Sequence, residues 1–157
     1  KFDFIGRLEY SSSKAIDYCN SFIKSLEKYQ QQNSNSKISM NFLGEINRDK
    51  IFSVLGDYSF SALFSNSEGM PNVMCESLRE GLPILCNSVV ANSLAQNINS
   101  YGIVIPCLTV KHLSNLLLSI NTLDSNYYCK MSLMAKKSFN DNFSIDKLAN
   151  SYYKLCE

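Results

Sequence analysis

Two glycine–proline pairs, Gly69-Met70-Pro71 and Gly81-Leu82-Pro83, restrict what the middle of this chain can become. Inside a helix a glycine costs about 1 kcal/mol and a proline about 3 kcal/mol. The pattern Ser65-x-x-Glu68 ordinarily marks a capped helix start, but such a helix would hold both Gly69 and Pro71 in its interior. The alternating run Tyr58–Phe64 therefore reads as a strand that ends near Phe64 and passes into a loop through Glu68 and Gly69. A helix follows to about Glu80, with Pro71 in its first turn, where a missing N–H costs nothing. Gly81 stops it as a C-cap, and Pro83–Cys86 leaves as a second apolar run. The result is a strand, a loop bearing a carboxylate, and a helix whose free N–H groups face the strand's carboxyl end. That arrangement suits a phosphate or a polyhydroxyl ligand.

The flanking sequence repeats this alternation. Phe2–Ile5 is a short strand closed by Gly6 and Arg7, and a helix over about Lys14–Gln31 carries Ile16, Cys19, Ile23 and Leu26 at helical spacing. Ile38–Leu43 has the period of a strand and Gly44 ends it; a short helix around Arg48–Leu55 turns Ile51, Val54 and Leu55 inward. Ile84–Cys86 and Ile103–Ile105 are nearly all apolar, as strands covered on both faces are. Between them Val89–Tyr101 is partly helical at best, and everything after Thr109 reads helical. There, Val110, Leu113, Leu117 and Ile120 form one stripe, and Ile145, Leu148, Ala149, Tyr152, Tyr153 and Cys156, opened by Ser144 as N-cap, form a cleaner one. Strands alternating with helices imply a parallel sheet with helices on both faces, an α/β fold. Ligands of such sheets bind at the carboxyl ends of the strands. Gly6-Arg7 with Lys14, Gly44, and Glu68–Glu76 fall there together.

Composition narrows the function classes. At 157 residues and a net charge of +1, the chain has one domain's worth of core and no basic field to recommend nucleic acid. No apolar stretch approaches the roughly 20 residues of a membrane span. The six cysteines are scattered without a C-x-x-C pair, which predicts buried free thiols in a reducing compartment rather than disulfides or zinc. Lys1 begins almost directly on a strand, as a fragment of a longer protein would. Arg7 can bind two diphosphate oxygens at once and Lys14 acts as a point charge; taken alone, each also reads as a solvated loop or helix-start cation. Glu76 can accept two hydrogen bonds from vicinal hydroxyls, as the acidic residue of dinucleotide folds does for a ribose; its plain alternative is an exposed helix glutamate. His112 precedes Leu113 on an amphipathic helix and is expected to face solvent, far from the motif, so no positioned imidazole base is expected. No Ser-His-Asp set, metal-ligand cluster or P-loop is present. A phospho-receiver domain needs an Asp at the end of the central strand, where this chain has Phe64-Ser65.

Taken together, Phe-Ile-Gly-Arg-Leu with Lys14, Asn-Phe-Leu-Gly at 41–44, and Ser65-x-x-Glu68-Gly-Met-Pro-Asn-Val-x-x-Glu76-Ser-Leu-x-x-Gly-Leu-Pro-Ile resemble the C-terminal domain of family-four retaining glycosyltransferases. Tyr-Gly-Ile-Val-Ile-Pro at 101–106 and Asn142-Phe-Ser144 with the closing helix extend the resemblance over the whole chain. The Arg7-to-Lys14 gap is slightly longer than the commonest family spacing, and Val89–Asn99 lacks the glycine-rich turn often found there. The resemblance implies a Rossmann-like three-layer domain spanning residues 1–157, the C-terminal half of a GT-B architecture. It implies an NDP-sugar donor, no bound metal, and retaining transfer of a hexosyl group to a saccharide or lipid-linked acceptor. The acceptor would be held by an N-terminal domain absent from this chain, so the isolated domain would turn over poorly. Arg7, Lys14 and Glu68 would serve the reacting diphosphate and sugar; Gly6, Gly44, Gly69, Met70, Pro71, Asn72 and Glu76 would bind the donor, with Glu76 on the ribose and Gly44 lining the base pocket. Such enzymes work in the cytoplasm, often on cell-surface polysaccharide, which extends the expectation to peripheral association of the full-length protein with the inner membrane face. A module of the same fold that binds nucleotide or sugar without catalysis is the alternative.

Overall fold

The structure, a computed structural model, describes residues 1–6, 13–32, 39–94 and 97–154, with the backbone alone at Ala15, Leu26, Leu148 and Ser151. Contacts divide the chain into two compact units, Lys1–Ile51 and Phe52–Glu157. The described strands pair as two parallel sheets, one of two strands and one of three, where the sequence leads one to expect a single sheet.

In the first unit β1 (Phe2–Ile5) pairs with β2 (Met40–Gly44) across α1 (Ser13–Gln32), a parallel β-α-β unit. Asp3 and Asn41 are register partners, and the Asn41 amide donates to the Asp3 carboxylate at 2.7 Å while the Lys1 ammonium lies 2.8 Å from its other oxygen. The Asp3 side chain is 0% exposed, so these partners are what make its burial tolerable. Phe22 of α1 packs edge-on against Phe4 with ring centroids 5.0 Å apart, and the Gln30 amide donates to the Met40 carbonyl. Ile38 lies outside the described residues. α2 (Arg48–Leu55) runs across the boundary between the units.

In the second unit β3 (Ser61–Leu63), β4 (Ile84–Asn87) and β5 (Gly102–Ile105) form a parallel sheet with β4 central. Every residue of β4 is buried, as the apolar run Ile84–Cys86 requires, and the strand ends on the buried polar Asn87. Period-2 alternation divides it. Ile84 and Cys86 join a core with Met74 and Leu78 of α3 (Asn72–Glu80), Val90 of α4 (Ser88–Asn92), Tyr101, and Ala135 of α6 (Ser125–Asn142). Leu85 and Ile105 join a second core with Leu116 of α5 (Val110–Asn121). Helices thus cover both faces, and each fully buried aliphatic side chain contributes about 1.5–3 kcal/mol.

The differences from the sequence reading have local causes. β3 covers three residues instead of Tyr58–Phe64. Its ladder opens with Ser61 N–H donating to the Pro83 carbonyl, and Pro83 has no N–H with which to carry pairing further back. The Ser59 carbonyl is taken instead by the Tyr128 hydroxyl at 3.0 Å. On α5 the core face is Leu113, Leu116 and Ile120; Val110 is 85% exposed and Leu117 lies at the surface. The stripe on α7 (Ile145–Tyr153) is solvent-facing at Ile145, Tyr152 and Tyr153, and Cys156 lies outside the described residues. The five described cysteines are free, but only Cys19 and Cys86 are buried; Cys75 is half-buried, and Cys107 and Cys129 are exposed. Among the described residues no helix is long and apolar enough to cross a membrane.

Candidate functional site

The second unit presents a loop and a helix start at the carboxyl end of β3. Pro71 sits at the N-cap of α3, one position earlier than the sequence suggests. Its carbonyl accepts from the Met74 N–H at 2.9 Å and the Cys75 N–H at 3.2 Å, and no side chain caps the helix. The N–H groups of Asn72 and Val73 precede those first intrahelical bonds and carry the positive end of the helix dipole. Pro71 is buried, whereas Gly69, Met70, Asn72 and Val73 are exposed. Glu68 and Glu76 are both half-buried. A Cβ placed on Gly69 would meet nothing within 4 Å, so the protein leaves that space open. Burial, then the adjacent Glu76 carboxylate, pushes the Cys75 thiol up, which keeps it protonated and suited to packing rather than to nucleophilic chemistry.

The far end of α3 is closed by backbone geometry. Gly81 has φ 78° and ψ 21°; its N–H donates to the Leu78 carbonyl at 3.0 Å and the Leu82 N–H to the Ser77 carbonyl at 2.9 Å, a Schellman motif. Arg79, which the sequence reading leaves as a surface charge, stacks its guanidinium 4.3 Å above the Phe52 ring.

In the first unit, Gly6 and Gly44 come together at the carboxyl ends of β1 and β2, the Gly6 N–H donating to the Gly44 carbonyl at 3.0 Å. Gly44 has φ +73°, a conformation that favours glycine. Lys14 is exposed in the first turn of α1, a turn with no acidic residue. A cation there opposes the helix dipole by about 0.3–1 kcal/mol. Arg7 lies outside the described residues. The remaining candidates belong to the second unit.

Two polar clusters were not legible from the sequence. Asn87, at the end of β4, is 7% exposed and bonds both backbone groups of Ser65: its Nδ2 donates to the Ser65 carbonyl at 2.7 Å and its Oδ1 accepts from the Ser65 N–H at 3.4 Å. The same Oδ1 accepts from the Val90 N–H at 3.4 Å and caps α4. The available signal was Asn-Ser directly after an all-apolar strand, a helix-start pattern. His112 is the second case; its ring contacts are solvent-exposed, as the sequence reading expects. It is half-buried at the carboxyl end of β5, with Nδ1 2.9 Å from Thr109 Oγ1 and 3.3 Å from Cys107 Sγ, while Thr109 caps α5.

No protein-family model and no curated protein matches this chain. Solved structures do. HepE from Anabaena, crystallised in complex with UDP-glucose, superposes with a TM-score of 0.74 at 14% identity, over 98% of this chain and 40% of HepE. The C-terminal domain of LpcC, a glycosyl transferase group 1 family protein from Francisella tularensis, superposes with a TM-score of 0.65 at 18% identity, over 80% of this chain and 64% of its own. This chain therefore spans less than two thirds of either structure's length. These likenesses establish the fold as α/β and Rossmann-like, with parallel strands and flanking helices.

Proposed function

We propose that this chain is the nucleotide-sugar donor-binding domain of a retaining, family-four type glycosyltransferase, residues 1–157 forming one half of a GT-B enzyme. The observation that carries the reading is the half-buried Glu68 in the loop before an uncapped α3 start, at the carboxyl end of a parallel strand. A helix start of this kind offers N–H groups and positive potential to a phosphate or sugar oxygen. A carboxylate beside it accepts hydrogen bonds from sugar hydroxyls. The fold shared with a UDP-glucose complex supports the same ligand class.

In this reading Glu76 holds the ribose hydroxyls and Glu68 the transferred sugar, with the Gly69–Asn72 backbone against sugar or phosphate. The roles of Gly6 and Gly44 in donor binding, and of Arg7 and Lys14 in neutralising the diphosphate, rest on the sequence resemblance. The reaction breaks the bond between the anomeric carbon and the diphosphate oxygen and forms one to the acceptor oxygen on the same face. The acceptor's proton leaves with the departing diphosphate, whose growing charge the cations and helix start stabilise. A saccharide or lipid-linked acceptor would be supplied by a further domain.

The test is titration with UDP-glucose and other nucleotide sugars by calorimetry or ligand-observed NMR. Binding should weaken roughly 10- to 100-fold in Glu76→Ala, the loss of one or two charge-assisted hydrogen bonds. Absence of binding to every nucleotide at millimolar concentration, or binding indifferent to Glu76→Ala, refutes the reading. Binding without transfer in the full-length protein would establish the non-catalytic module instead.

A further inference from the structure

We propose that Asn87 is a positioning residue for the sugar-facing loop, fixing Glu68 through Ser65; this deepens, and rests on, the donor-binding function proposed above. The β3–β4 ladder ends where Leu63 pairs with Cys86. Beyond that point the Asn87 side chain takes over the work of a strand backbone. It offers Ser65 both a donor, at 2.7 Å, and an acceptor, at 3.4 Å. The donor contact is the short one and carries most of the tie. Because the same oxygen caps α4 through the Val90 N–H, the loop is referenced to β4 and α4 at once. The constraint then passes one turn onward: the Ser65 hydroxyl donates to the Ser67 carbonyl at 2.9 Å and accepts from the Ser67 N–H at 3.3 Å, immediately before Glu68. At its other end the loop is anchored by the buried Pro71. Both ends are therefore held, and Glu68 lies between them.

Asparagine is the side chain that fits these demands. Serine at 87 keeps an oxygen to cap α4 but is too short to span to Ser65. Aspartate keeps the acceptor, also a good cap, but turns a second oxygen toward the Ser65 carbonyl where the donor was.

The test compares Asn87→Ser and Asn87→Asp with the parent by amide hydrogen exchange and by titration with UDP-glucose and with UDP. Exchange at the bonded amides of Ser65 and Ser67 should accelerate about five- to tenfold, the equivalent of one lost hydrogen bond, while α4 amides and the global unfolding midpoint hold. UDP-glucose should bind about five- to tenfold more weakly, and UDP less than twofold more weakly, because Glu68, the residue held, is assigned to the sugar. Loop exchange that is unchanged, or that rises only in step with global unfolding, overturns the proposal. So does equal weakening of both ligands. If the parent binds neither ligand, the donor-binding function fails, and the sugar-loop role with it, although exchange still decides whether Asn87 holds the loop. Should both Asn87 variants fail to fold, Ser65→Ala removes the relay to Ser67 while leaving the Asn87 contacts to the Ser65 backbone. Exchange should then rise at Ser67 but not at Ser65; an unaltered pattern overturns the proposal.

Discussion

Gly81→Ala tests how α3 is held in place. With φ 78° and ψ 21°, residue 81 is in the left-handed region, where an L side chain costs about 1–2 kcal/mol. An added Cβ would stand 3.2 Å from Ser132 Oγ and 3.4 Å from Lys136 Cγ. Both neighbours are side chains, and Lys136 is exposed and can give way, so backbone conformation is the larger cost. The usual gain from stiffening the unfolded chain is outweighed at positive φ. The expected net loss is about 1–2 kcal/mol, or roughly 2–8 °C in Tm for a domain of this size. Urea unfolding and calorimetry measure both. Gly81→Asn supplies the control, because asparagine is larger than alanine yet tolerates this backbone region. If conformation dominates, Gly81→Asn is the milder change. An unchanged Tm in Gly81→Ala, or an asparagine variant worse than the alanine one, refutes the reasoning.

Gly102→Ala should be more severe than Gly81→Ala, for a different cause. Its Cβ would lie 2.7 Å from the Ile84 carbonyl, a backbone atom of the central strand, so β4 and β5 must separate, and denaturant midpoints should show it. Asp124→Ala removes the acceptor for the Tyr127 N–H at the start of α6 and should cost about 0.5–2 kcal/mol in urea unfolding. Tyr128→Phe deletes the hydroxyl bonded to the Ser59 carbonyl but keeps the ring packed edge-on against Phe60; a loss of about 0.5–1.5 kcal/mol is expected, with β3 amides exchanging faster. Stability should fall as pH rises from 9 toward 11. Burial lifts the Cys86 thiol to about 11 and also raises the Tyr101 phenol, so the folded state keeps protons that the unfolded chain releases. Melting curves across that range check this, and Cys86→Ala, although less stable near neutrality, should lose less over the interval.

Much of the fold was legible because its signals were redundant. Gly81 and Pro83 bracket a turn, and the all-apolar Ile84–Cys86 run became the fully buried β4. Ser144 caps its helix through its hydroxyl, as the sequence reading expects. What the sequence hid were choices that only tertiary packing makes. The α5 pattern allowed either Leu116 or Leu117 to face inward, and the sheet selected Leu116. The length of β3 depended on a proline in its neighbour. Around the candidate site, Glu68 lies in a loop and α3 starts within one residue of where the spacing put it, because glycine and proline left few other backbone paths. Asn87 was not legible as a loop anchor, since its partner lies 22 residues back in the chain and no periodicity reports such a contact.

The two ends of α3 are finished differently, and this gives the helix a polarity of rigidity. Its C-terminal carbonyls are sealed by the Gly81 turn, whereas no side chain caps its first turn. Any anion that docks there becomes the helix's missing first-turn partner, and the order it induces starts at Asn72 and Val73 and fades toward Leu78. Occupancy of this site would therefore register as a gradient of amide protection along one short helix, well before it altered the melting of the domain as a whole.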